Sequence, residues 1–214
     1  MHRREVLVPA GKVSLPGTAT IPEGATGIVA FAHGSGSSRH SPRNQYVAGV
    51  LHAHGIATLL FDLLTPHEDQ TYATRFDIGQ LTDRLLAAID WLEDNQETKG
   101  MKIGCFGAST GAAAALQAAA KRPGIAAVVS RGGRPDLAGP QALALVPAPT
   151  LLIVGGWDDG VIDLNRQAYV LLQCEKKLEI VPGATHLFEE PGTLEQAAEH
   201  AANWFASHFR PAKA

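Results

Sequence analysis

The sequence has little of several features that mark particular classes of protein. Only 2 of its 214 residues are cysteines, and Cys105 lies in an apolar stretch, so we expect a reduced, buried thiol there. The formal net charge is -3, so the basic excess that binds nucleic-acid phosphates is missing. No apolar run approaches the roughly 20 residues of a membrane-spanning helix, and the charged start is unlike a signal peptide. We therefore expect a cytoplasmic protein that binds neither nucleic acid nor membrane.

Hydrophobic residues make up 45% of the chain, which is enough for one continuous core. We find no internal repeat and no long linker, so we expect a single domain over residues 1–214. Short apolar runs recur, and nearly continuous runs of this length are typical of strands buried on both faces of a parallel sheet. These runs are residues 27–32, 57–61, 103–106, 125–129, 150–154 and 178–181. The sequence does not indicate an oligomeric state.

Amphipathic segments between these runs predict helices that cover the sheet. Residues 78–92 carry apolar side chains three or four positions apart, which is one stripe of a helix. Capping-box spacing at residues 193–196 predicts a closing helix that starts at Thr193. Residues 1–22 predict an antiparallel hairpin, and residues 132–149 a loop with at most one short helix. The fold class is thus α/β, with a mostly parallel central sheet, helices on both faces and no large cap domain.

The most informative motif is residues 107–111, which read Gly-Ala-Ser-Thr-Gly after a predicted strand and before an alanine-rich helix. A strand that turns at once into a helix holds its central serine on a strained bend, and only small neighbours fit beside it. Ser109 is therefore the candidate nucleophile. The alternative is a structural turn without chemistry.

A serine nucleophile needs a base, and His186 follows the last predicted strand on the same edge of the sheet. The preceding strand runs into Asp158 and Asp159, either of which could orient the imidazole. The order serine, acid, histidine is the one that this arrangement of strands imposes. His52 and His54 lie two residues apart and should point in different directions, so we expect no metal site.

The oxyanion of an acyl-transfer reaction needs backbone donors. We predict the N–H of Thr110, at the start of the helix after Ser109, and the N–H of Ser35 in the Gly/Ser loop of residues 33–38. Such a loop could instead hold phosphate, but the lysine of the nucleotide-binding pattern is missing.

These motifs together resemble the α/β-hydrolase superfamily, and within it the small serine hydrolases related to dienelactone hydrolase. The resemblance covers nearly the whole chain, from the His-Gly-Ser-Gly of residues 33–36 to the motif around His186. It favours Asp158 over Asp159, because Asp158 and Val161 match the family's D-x-x-V pattern. The chain differs from dienelactone hydrolase itself, which uses a cysteine nucleophile, because Ser109 stands at that position.

Substrate contacts are predicted for Trp157, Arg131 and Leu187, with Trp157 as a wall of a shallow acyl pocket. Four arginines follow predicted strand ends and could bind an anionic substrate group or pair with nearby carboxylates. They are Arg39, Arg43, Arg131 and Arg134, and the carboxylates are Asp62, Glu68, Asp69 and Asp136.

The predicted function is cleavage of small carboxylic esters of short acyl chains through an acyl-enzyme, with no metal or organic cofactor. Lactone or amide cleavage and acyl transfer use the same triad and stay open at this point. A catalytically silent binding module of the same fold is the alternative from another class.

Overall fold

The computed structural model of the protein describes residues 1–210, and a single eight-stranded sheet forms its centre. The strands are β1 (His2–Ala10), β2 (Val13–Ile21), β3 (Gly27–Ala32), β4 (Ala57–Phe61), β5 (Lys102–Ala108), β6 (Ala127–Arg131), β7 (Thr150–Gly155) and β8 (Lys176–Val181). Their order in the sheet is β1-β2-β4-β3-β5-β6-β7-β8. β1 and β2 form the predicted antiparallel hairpin, β2 pairs antiparallel with β4, and every other pairing is parallel.

Helices cover both faces of this sheet. They are α1 (Pro42–Ala53), α2 (Tyr72–Arg75), α3 (Ile78–Asp94), α4 (Thr110–Lys121), α5 (Pro140–Leu145), α6 (Asp159–Leu171) and α7 (Thr193–Phe209). Side chains of α3, α4, α5 and α6 pack on one face, and those of α1 and α7 on the other. The residues of β3, β4, β6 and β7 are all buried, as two covered faces require. The predicted fold class is therefore confirmed.

The connection between β6 and β7 is the place where a cap would be inserted. It holds a 3-10 turn (Pro135–Ala138) and α5, so there are two short helical segments where the sequence indicated at most one. Among the described residues, no large cap covers the carboxyl edge of the sheet.

Two local expectations were wrong. β6 lies two residues later than its apolar run, because its ladder with β5 extends to the pair Ala108 and Arg131, and Arg131 is thus a strand residue and not a loop residue. α7 is capped by Gly192 in the left-handed conformation, and the Thr193 hydroxyl donates to Glu190 O. The capping box at Thr193 is therefore not formed.

The parallel register brings the predicted motifs to one edge. Gly107 of β5 pairs with Ala32 of β3, and Ala108 pairs with Arg131 of β6. Ser109 thus emerges between the loop that follows β3 and the end of β6. One strand further along, Gly155 of β7 pairs with Val181 of β8, so the loops that carry Asp158 and His186 leave the sheet side by side.

Candidate active site

Ser109 lies on the sharp turn between β5 and α4. Its backbone has φ 51° and ψ -121°, a positive φ that is uncommon for a residue other than glycine. A Cβ on Gly111 would overlap the carbonyl oxygen of Ala32, and one on Gly107 would overlap the backbone of Ala112. Glycine is therefore required at both positions for the strand and the helix to approach so closely, and Ser109 is held on the bend.

Asp158, and not Asp159, is the carboxylate paired with His186. Its Oδ2 accepts a hydrogen bond from His186 Nδ1 at 2.6 Å, and the side chains of Asp158 and His186 are 17% and 38% exposed. Asp159 is the first residue of α6 and forms no side-chain bond to the imidazole among the described residues. The N–H of Trp157 donates to Ala184 O at 2.9 Å, which ties the two loops together. This backbone contact therefore helps to fix the position of the Asp158 carboxylate relative to the His186 imidazole.

Ser109 and His186 line the same cavity, which has a volume of about 240 Å³. Within the described part of the chain, neither Ser109 Oγ nor His186 Nε2 forms a hydrogen bond. With Nδ1 donating to Asp158, Nε2 is the nitrogen that can accept a proton. Catalytic hydrogen bonds in enzymes without substrate are often longer than in the complex.

The two predicted oxyanion donors differ in their present bonding. Thr110 begins α4, where the backbone N–H groups are not used within the helix. The N–H of Ser35 donates to the hydroxyl oxygen of Thr110 at 3.0 Å, because the buried Thr110 side chain lies against the loop. The Ser35 N–H is thus already bonded to the Thr110 side chain, and its role as an oxyanion donor stays a prediction.

His33 braces the loop that contains Ser35. Its Nε2 accepts from the N–H of Leu63 at 3.0 Å, so Nδ1 carries the proton and donates to Gly34 O at 2.9 Å. Burial lowers the pKa of His33, which keeps the ring neutral. The sequence pointed to this loop but not to the role of its histidine.

Glu190 performs a similar task for the loop that carries His186. Its carboxylate accepts from the Thr185 N–H at 3.0 Å and from the Thr185 hydroxyl at 2.5 Å. The hydroxyl bond, followed by the backbone bond, lowers the pKa of Glu190. Sequence reasoning missed this residue, although a threonine five positions before a glutamate within a loop is compatible with such a clamp.

The substrate contacts predicted from sequence divide into two groups. Arg131 and Leu187 both line the cavity with Ser109. Trp157 does not line it, and 69% of its surface is exposed. The expectation that Trp157 forms a wall of the acyl pocket is therefore wrong, because its ring faces solvent beside the loop of Gly183.

Arg131 is the most unusual charge in the cavity. It is 7% exposed, its Nη2 donates a long bond to Asn44 Oδ1 at 3.4 Å, and its Nε and Nη1 are buried without a partner among the described residues. Burial, and to a smaller extent the charge of Arg43, lowers the pKa of Arg131 to about 10. The guanidinium is thus still protonated at neutral pH.

The other arginines at this edge are paired with carboxylates. Arg39 pairs with Asp62 and Arg134 with Asp136, as the sequence predicted. Arg43 lies 3.9 Å from Glu189, which was not among the predicted partners. Within residues 1–210, no group of three or more His, Cys, Asp or Glu side chains is arranged to hold a metal ion, and no helix is long and apolar enough to cross a membrane.

Comparison with known proteins agrees with this architecture. The model of the dienelactone hydrolase family matches residues 65–212. The chain belongs to the dienelactone hydrolase family. A crystal structure named as dienelactone hydrolase from Anabaena variabilis is 57% identical, with a TM-score of 0.95 over 98% of this chain and 99% of that one. Family membership supports a hydrolase.

More distant structures share only the fold. The esterase domain of a Rhodothermus marinus protein is 17% identical, with a TM-score of 0.80 over 98% of this chain and 100% of that one.

Two Mycobacterium tuberculosis proteins, each named "Putative phosphoribosyl transferase", are 58% identical over 210 residues, which is 98% of this chain and 47% of theirs. The chain thus spans about half the length of these curated relatives.

Proposed function

We propose that this member of the dienelactone hydrolase family cleaves carboxylic esters of short acyl chains, with Ser109 as nucleophile, His186 as general base and Asp158 as the orienting acid. The observation that carries the proposal is the 2.6 Å bond from His186 Nδ1 to Asp158 Oδ2, because His186 lines the cavity that also contains the strained Ser109. That bond fixes the tautomer in which Nε2 can accept a proton.

The proposed reaction has two steps. Ser109 Oγ attacks the ester carbonyl carbon while Nε2 of His186 takes the hydroxyl proton, and the imidazolium is stabilised by Asp158. Collapse of the tetrahedral intermediate breaks the bond to the leaving alkoxide, which receives that proton and departs as an alcohol. Water, deprotonated by His186, then attacks the acyl-enzyme, and the acid and free Ser109 are released.

The oxyanion of both intermediates would be bound by the N–H of Thr110 at the positive end of α4. The N–H of Ser35 is the second donor in the proposal. This N–H donates to Thr110 Oγ1 at 3.0 Å in the structure. In the reaction it would donate to the oxyanion instead of Thr110 Oγ1, or to both acceptors. An exchange of this kind costs little because one hydrogen bond replaces another.

Short acyl chains are proposed because the cavity is small. Its volume of about 240 Å³ lies below the roughly 300–1,000 Å³ of sites for drug-sized ligands. The connection of residues 132–149, with α5 of six residues, offers no apolar cover for a long chain. Added methylenes should therefore stay in water.

Lactone cleavage is the second candidate. It is favoured by the 57% identity to the protein named dienelactone hydrolase from Anabaena variabilis. The chemistry is the same, except that the leaving alcohol stays tethered to the acyl group. We do not propose phosphoribosyl transfer for this chain, because it matches only 47% of the length of the relatives that carry that name.

The decisive experiment compares Ser109→Ala with Ser14→Ala, a control at an exposed position of β2. We expect a fluorophosphonate probe to label the native protein and the control but not Ser109→Ala, and p-nitrophenyl butyrate turnover to be lost in step with labelling. A small rate above that of water should persist from oxyanion binding alone. Native turnover in folded Ser109→Ala would contradict the proposal, and a native protein that is never labelled would favour the silent module.

A further inference from the structure

The two edge strands of the sheet differ in their capacity to pair with a further strand. β8 stands at one end of the strand order, and no strand within residues 1–210 pairs with its outer side. β1 stands at the other end and contains Pro9, which has no N–H to donate to a neighbour. β8 contains no proline. It is therefore the edge that can accept another strand along its whole length.

The ladder between β7 and β8 shows which backbone groups lie on the outer side of β8. The N–H of Thr150 donates to Glu175 O, and the N–H of Gly156 donates to Val181 O, both at 2.8 Å. Because the backbone groups of successive strand residues point to opposite sides, the odd-numbered residues of 175–181 face β7. The residues whose N–H and C=O groups point outward are Lys176, Leu178 and Ile180.

The charges of β8 are arranged symmetrically about Leu178. Lys177 precedes it and Glu179 follows it, and Lys177 Nζ lies 2.5 Å from Glu179 Oε1 along the strand. If two copies of β8 pair antiparallel with Leu178 opposite Leu178, Lys177 of each copy lies opposite Glu179 of the other. These are non-hydrogen-bonded positions, at which the side chains of paired strands are closest. Each of the four charges then lies between two opposite charges, so this edge is complementary to itself.

Lysines on an edge strand usually oppose pairing, because their charges find no partner on the incoming strand. Both lysines of β8 are compensated. Lys176 Nζ donates to the carbonyl oxygens of Tyr169 and Leu172 at the end of α6, at 2.7 and 2.6 Å. Its charge is thus neutralised within its own copy, and Lys177 finds Glu179 of the second copy.

Apolar side chains near the same edge are exposed. Ile180 lies on β8, and Val170 and Leu171 lie at the end of α6, which Lys176 contacts. In the register about Leu178, Lys176 is opposite Ile180 of the second copy. The exposed Ile180 of one copy therefore reaches the exposed end of α6 in the other, where both lose water.

We propose that the protein forms a symmetric dimer in which β8 of two copies pair antiparallel about Leu178, so that the two eight-stranded sheets become one. The contact is isologous and uses the edge of each copy, so it closes at two copies and does not propagate. None of the residues that line the cavity with Ser109 belongs to β8, so the dimer is independent of the proposed hydrolysis.

Sedimentation velocity tests whether the dimer forms. The contact is short, so we expect the dimer fraction to rise between about 1 and 100 µM, with a doubling of the 22.6 kDa mass. A monomer at every concentration would overturn the inference.

Charge exchange tests whether β8 is the interface. Lys177→Glu and Glu179→Lys each put two pairs of like charges across the two-fold axis, and each should raise the dissociation constant by about tenfold or more. The double variant Lys177→Glu with Glu179→Lys restores opposite charges and should return the constant to near its native value. Lys121→Glu, at an exposed position of α4, is the matched control and should leave it unchanged. Equal weakening in the control, or no rescue by the double variant, would contradict the proposed contact.

Disulfide trapping tests the register, in a Cys174→Ser background. Lys177→Cys in one copy and Glu179→Cys in the other place two Cα atoms about 4.5 Å apart, within the range of a disulfide. Either variant alone places its two cysteines on a diagonal of about 7–8 Å, which is too long. We therefore expect a mixture of the two variants to form covalent dimers at least tenfold faster than either alone. Equal rates in the mixture and in the separate variants would overturn the register about Leu178.

Discussion

Replacement of Asp158 by asparagine tests the geometry of the candidate site most directly. The change keeps the size of the side chain but offers an amide to His186 Nδ1, which is 2.6 Å from Asp158 Oδ2. If the amide nitrogen donates to Nδ1, the imidazole proton moves to Nε2, and the ring can no longer accept the Ser109 proton. The same change in a serine protease with a buried acid lowers kcat by about 10⁴-fold, or about 5.4 kcal/mol.

The expected loss is smaller here because water reaches the pair. The side chain of His186 is 38% exposed and that of Asp158 is 17% exposed, so solvent can replace part of the lost interaction. We therefore expect kcat to fall by about 10²- to 10⁴-fold, which corresponds to about 2.7–5.4 kcal/mol. The KM should change little, since the acid does not line the cavity.

The assay is steady-state hydrolysis of p-nitrophenyl butyrate, with Asp159→Asn as the matched control. Asp159 begins α6 and is expected to affect only the helix end, by about 0.3–1 kcal/mol of stability. Its kcat should stay within about threefold of the native value, a small change on the scale of transition-state energies. Both variants should be folded by circular dichroism. Equal losses in the two variants, or a larger loss in Asp159→Asn, would refute the pairing of Asp158 with His186 as the catalytic one.

Three further predictions concern the loop after β3 and the size of the substrate. Thr110→Val should lower the free energy of unfolding by about 1–3 kcal/mol in urea titrations, because the Ser35 N–H loses its acceptor, whereas Thr110→Ser should retain most of it. Burial lowers the pKa of His33, so as pH falls below about 6.5 the unfolded chain binds the histidine proton before the folded protein does. The free energy of unfolding should therefore decline below about pH 6.5, and the decline should be less steep in His33→Gln. Finally, kcat/KM on p-nitrophenyl esters should peak between acetate and butyrate and fall by octanoate, and a steady rise through decanoate would show that another segment encloses the chain.

Much of the sheet could be predicted because its strands are buried on both faces. Runs such as residues 57–61 and 150–154 are apolar except for one threonine each, and they coincide with β4 and most of β7. The candidate residues could be predicted for the same reason, since each follows the end of such a run and parallel strands end at one edge. Position along the chain was therefore enough to place Asp158 beside His186, and Ser109 and His186 in one cavity.

Features that depend on the direction of a side chain could not be predicted from the sequence. Arg131 was expected in a loop because the apolar run ends at Val129. The hydrogen-bonded ladders of β6 with β5 and β7 continue to Arg131, so the guanidinium is buried at the end of the sheet. Trp157 was expected to line the cavity, but its backbone is fixed by Ala184 and its ring is left in solvent. The partner of the Ser35 N–H depends on the rotamer of Thr110, which no spacing reveals.

The preference for short acyl chains follows from the size and the lining of the cavity. A methylene contributes about 0.8 kcal/mol only where it leaves water, and a cavity of about 240 Å³ without an apolar cover provides little such space. The gain in kcat/KM should therefore stop after the first few carbons, because the atoms of a longer acyl chain extend beyond the cavity and stay in water.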